Sequence, residues 1–96
     1  MATFIITFDV GEETVLKQVK NHILALTKVG EQIQGYCPIH RNALAVKSEK
    51  TAKQLRALIS DKLDTKDKLF IIRSGVESSW SNSYGPLNDD WLKSNL

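Results

Sequence analysis

The apolar residues of this chain change their spacing as the chain proceeds, and that change of period restricts the fold more than any other feature. Over residues 2–9 the spacing is two. Phe4, Ile6 and Phe8 fall on one side of an extended segment, and Thr3, Ile5, Thr7 and Asp9 fall on the other. Over residues 14–28 the spacing is three and four, so that Leu16, Val19, Ile23 and Leu26 form one helical stripe, with Gly30 as its stop. Two further extended segments, 32–39 and 42–47, are joined at His40-Arg41-Asn42. Pro38 removes a donor late in the first of them, which marks a sheet edge or the end of that strand. Leu55, Leu58, Ile59 and Leu63 make a second helical stripe over 51–63, capped by Ser48 or by Thr51 with Gln54 at capping-box spacing. Residues 68–74 close the series as a strand. Its run Leu69-Phe70-Ile71-Ile72 leaves both faces in need of cover.

The order is β-α-β-β-α-β. It predicts an α+β, ferredoxin-like domain: a four-stranded antiparallel sheet with both helices on one face. The opposite face is expected to carry Ile5, together with Leu69 and Ile71 if Phe70 and Ile72 turn toward the helices. An apolar face of this kind calls for a partner or a covering tail. The last segment, 75–96, begins as a Gly/Ser/Asn-rich loop containing Trp80 and Tyr84. After the turn signal Gly85-Pro86, a short terminal helix is expected, capped by Asn88 with Asp89 and Asp90 in its first turn. Ile5, Leu69, Ile71, Trp80 and Trp91 are the expected interface residues of a homodimer formed across the open sheet face, since two-fold pairing is the commonest closed arrangement.

Ninety-six residues suit one domain spanning 1–96. The single cysteine, Cys37, rules out an intrachain disulfide and fits a reducing, cytoplasmic setting. The first apolar stretch is broken at Asp9, too soon for a signal peptide or a membrane span. A net charge of +2 with three scattered arginines is mildly basic and does not by itself indicate nucleic-acid binding. No glycine-rich phosphate loop, Gly-x-Ser-x-Gly turn or paired catalytic carboxylates occur.

Several residues are candidates for chemistry, each beside a plainer role. Asp9 stands on the open face, either as a rim or strand-end acid that caps the first helix or its loop through Gly11 and Glu12, or as a group placed for chemistry. Glu12 and Glu13 lie where a helix dipole favours acids. Cys37 and His40 are three apart, but a nucleophile pair needs hydrogen-bond reach and an orienting group; a buried thiol and a turn histidine are the simpler reading. His22 has no partner at metal-ligand spacing. Lys50, Lys53 and Arg56 recur on the outer face of the second helix, where they could contact the phosphates of a nucleic acid or form a solvated surface. Trp80, Tyr84 and Trp91 could stack on bases, or pack the tail against the sheet.

Taken together, the first strand ending in Phe8-Asp9, the β-α-β-β-α-β order, the strand Asp67-Lys68-Leu69-Phe70-Ile71-Ile72 and the ending Trp91-Leu92-Lys93 resemble the small SinR-like proteins. These belong to the superfamily of the CRISPR-associated Cas-two protein and the VapD toxins. That resemblance implies a homodimer in which Asp9 of both copies meets near the two-fold axis. It further implies one of two activities: a weak magnesium-dependent endonuclease using the Asp9 pair, or a non-catalytic adaptor associated with nucleic acid or with another protein.

Overall fold

In a computed structural model, residues 2–29, 32–33, 35–63, 65–75 and 77–96 are described. The elements run β1 (Ala2–Asp9), α1 (Glu13–Leu26), β2 (Lys28–Val29), β3 (Gln32–Ile33), β4 (Tyr36–His40), β5 (Ala43–Ser48), α2 (Ala52–Ser60), β6 (Lys68–Arg73) and α3 (Pro86–Asn95). The architecture is α+β. Strands β4, β5, β1 and β6 lie side by side in that order as an open sheet, each neighbouring pair antiparallel.

The local signals that build the elements are mostly those of the sequence. Thr51 and Gln54 form the expected capping box: the Gln54 N–H donates to Thr51 Oγ1 at 3.1 Å, and the Thr51 N–H donates to Gln54 Oε1 at 2.9 Å. Helix α1 stops at Leu26, and the Thr27 hydroxyl donates to the Leu24 carbonyl at 2.9 Å. The proposed stop at Gly30 lies outside the described residues. The strand expected over 32–39 is divided. Gln32–Ile33 pairs with Lys28–Val29 in a separate ribbon, and the sheet strand starts at Tyr36. Gly35 sits at the division, buried against β5. Its carbonyl accepts the Lys47 N–H at 2.7 Å, and a Cβ there would come within 3.2 Å of the Lys47 carbonyl oxygen.

The main core lies between the sheet and helices α1 and α2. Ile6, Val19, Ile23, Leu44, Val46 and Ile59 are its most deeply buried large side chains. Cross-strand register places Ile6 beside Leu44 and Ile71, and Phe8 beside Leu69. Leu69 and Ile71 therefore pack toward the helices, and Phe70 and Ile72 face the other way, the reverse of the expected phase. The register sets Lys68 opposite Asp9 on the non-helical face, where opposite charges favour the pairing. A slip of one residue would move every side chain of β6 to the wrong face.

The face away from α1 and α2 is partly covered by the chain's own tail. Leu92 of α3 is buried with Cys37 of β4 and Ala45 of β5, and Ile5, Ile39, Trp80, Trp91 and Leu96 pack around them. This second cluster spreads over β4, β5 and the near side of β1. Beyond it Phe70 remains 62% exposed and Ile72 52% exposed.

Candidate functional site

Asp9 ends β1, exposed, on the face the alternation predicts. It rims one depression with Glu12, Lys66 and Asp67, and another with His40, Lys68 and Phe70. Among the described residues no group of three or more His, Cys, Asp or Glu side chains is placed to hold a metal ion. Glu13 pairs with Arg41; both side chains are about two-thirds exposed, so the pair contributes on the order of 0–1 kcal/mol. Glu13 thus turns to Arg41 in the β4–β5 turn, while Glu12 stays beside Asp9 at the rim of the first depression.

Cys37 and His40 do not meet as a catalytic pair. Cys37 points under α3, its Sγ 3.7 Å from the Pro38 carbonyl and 3.9 Å from that of Asn88, and burial pushes its thiol pKa up. His40 is exposed and accepts the Asn42 N–H at its own Nδ1, 3.3 Å away. His22 has a structural role that the sequence did not disclose. Its Nε2 lies 2.9 Å from the Leu58 carbonyl, which can only accept, so Nε2 carries the proton and links α1 to α2.

The tail is fixed by polar as well as apolar contacts. Gly85, at a φ of 149° that other residues rarely adopt, precedes Pro86 in the first position of α3. Asn88, expected as the helix cap, instead reaches across and donates to the Pro38 carbonyl at 3.1 Å. Asp89 accepts the Trp80 indole N–H at 2.9 Å and pairs with Lys93 at 2.9 Å. Those two bonds, Lys93's first, hold its carboxyl below the usual carboxylate range. Trp80 and Trp91, predicted interface residues, thus belong to the cover over β4 and β5.

The two edges of the sheet differ. At β4, the Lys47 N–H to Gly35 carbonyl bond sets the ladder phase so that Tyr36 and Pro38 turn their main chain outward. Pro38 has no N–H there, and Asn88 occupies its carbonyl. At β6, the Ser74 N–H donates to the Thr3 carbonyl at 2.8 Å. Continuing that phase, Ile72, Phe70 and Lys68 exchange bonds with β1, and the N–H and C=O groups of Leu69, Ile71 and Arg73 turn outward. Among the described residues no strand lies beyond them.

Lys53 and Arg56 stand beside this open edge. With Ala52 they line a depression whose floor is Leu69 and Ile71. Lys50 and Arg73 line the adjoining one, with Glu49. The ion pairs among the described residues, Arg41–Glu13 and Lys93–Asp89, involve none of these cations. Sequence reasoning found Lys50, Lys53 and Arg56 but not Phe70, Ile72 or Arg73. The signal available was Asp9 itself, since pairing it with Lys68 fixes the phase of the last strand. Comparison with known protein families and with curated proteins found no match.

Proposed function

We propose that this chain is a non-catalytic interaction module on a ferredoxin-like frame, related to the Cas-two and SinR-like group, and that it docks through the β6 side of its sheet. The observation that carries this reading is the exposed pair Phe70 and Ile72, left bare by a tail that covers β4, β5 and the near side of β1 on the same face. The sheet order β4-β5-β1-β6, with α1 and α2 on one face, supports the ferredoxin-like frame. A homodimer would have to use the same strip, because α3 occupies the remainder. The two side chains offer a few hundred Å² at most, against about 800 Å² per partner in a stable complex, so a second copy needs more than this face.

A photo-reactive residue at position 70, compared with one at Lys20 on the far side of the molecule, tests the reading. Crosslinks to a defined protein from position 70 alone support it. Light scattering at micromolar concentration identifies a second copy by a mass of twice 10.8 kDa. The metal-dependent reading is tested separately by titrating magnesium and manganese and assaying RNA and duplex DNA with wild type and Asp9→Asn. Cleavage lost in Asp9→Asn would replace the module with a nuclease.

A further inference from the structure

We infer that the outer edge of β6 accepts an added strand from an extended segment of another protein, one in which acidic and apolar residues alternate. The inference rests on the interaction-module reading and specifies its partner.

The main chain supplies the first argument. Leu69, Ile71 and Arg73 present N–H and C=O groups to the outside of the sheet at the spacing an incoming strand requires. The β4 edge makes the contrast: Pro38 lacks an N–H and Asn88 takes its carbonyl, which interrupts that edge, and no proline or side-chain cap interrupts β6 among the described residues.

The side chains supply the second. Successive residues of an added strand point to opposite faces. Those on the helix side would enter the depression above Leu69 and Ile71, against Lys53 and Arg56, with Lys50 and Arg73 further along. Among the described residues Glu49 is the single acid lining either depression. Residues on the opposite side would lie against Phe70 and Ile72. The edge therefore asks for carboxylates at one parity and apolar side chains at the other. Charge also argues against a second copy. A two-fold axis perpendicular to the sheet keeps α2 on the same side in both molecules, so both Lys53–Arg56 sets would crowd one seam.

The test uses the full chain and fluorescent synthetic peptides of about eight residues, a typical strand length. One peptide alternates Glu and Val. The others carry the same composition in two blocks, Lys in place of Glu, or N-methyl groups on every second amide. Anisotropy should show the alternating acidic peptide bound at least about tenfold more tightly than each of the others. Lys53→Glu with Arg56→Glu, both exposed, should reverse the preference toward the Lys peptide. Amide exchange should slow at Leu69, Ile71 and Arg73 on binding. Equal affinity for the block or N-methylated peptide, or unchanged exchange at these three amides, overturns the proposal. Tighter binding of a single-stranded oligonucleotide, lost with the same two substitutions, overturns it in favour of nucleic acid. A doubled mass that the alternating peptide does not dissociate overturns it in favour of a second copy. Specific crosslinks from position 70 with no peptide binding leave the module standing and remove only the acidic strand; absence of both removes both.

Discussion

At the scale of single residues, the side chains that look most reactive on paper are the ones most occupied by structure. Cys37 is 2% exposed and held beneath α3, with its thiol pKa raised by burial. A thiol-specific reagent should therefore label the native protein only at the rate at which the tail lifts or the chain unfolds, and labelling should become rapid in denaturant. Fast labelling in buffer would show that α3 does not stay docked. His22 is a link between helices, so His22→Ala should lower stability by about 1 kcal/mol in chemical denaturation, since it also leaves the Leu58 carbonyl without its donor. A variant as stable as wild type would show that the bond adds nothing. The sequence disclosed which face of the sheet carries Asp9, because alternation alone decides it. It could not disclose the His22 bond, whose acceptor is a backbone carbonyl 36 residues away that no side-chain pattern marks.

At the scale of elements, α3 was legible as a tail that could pack against the open sheet face, but the strands it covers were not. Pro86 and the cluster of Trp91, Leu92 and Leu96 announce a sticky terminal helix, but only tertiary packing assigns it to β4 and β5. Asn88 shows why: a residue suited to capping its own helix serves a distant carbonyl instead, because Gly85 and Pro86 already start the helix. Leu92→Ala removes the one fully buried side chain of α3 and should destabilise the protein by about 2–5 kcal/mol in a denaturant melt. An unaltered midpoint would mean that the tail is not part of the folded unit. Docking should also depend on pH. The Asp89 carboxyl is held below its ordinary value by Lys93 and Trp80, so its contribution is complete above that value and is lost as pH falls below about 4. Trp80 fluorescence followed downward through that range should change in wild type before global unfolding, and this early change should be absent in Asp89→Asn.

At the scale of the whole molecule, most of the frame could be read from period alone: both helices, β1, β5, β6 and the edge position of Pro38. The phase of β6 could not, because four consecutive apolar residues satisfy either face equally, and the expected dimer face followed from the wrong choice. The short β2–β3 ribbon escaped for a related reason, as two-residue strands carry no measurable period. The unlike edges described above also govern how far such a sheet can grow. Open-ended strand-by-strand assembly requires a free edge on each side of every molecule, one to receive and one to offer. A molecule with β4 sealed by an imino acid and an amide cap can accept one strand at β6 and then has nowhere to pass the order on, so growth halts at a single addition instead of running into a fibre. Pro38→Val combined with Asn88→Ala restores a donor and frees a carbonyl on the sealed side. That double variant should form large, light-scattering aggregates at concentrations where wild type stays dispersed, and each single variant should fall between. Should the double variant remain dispersed, the seal lies elsewhere.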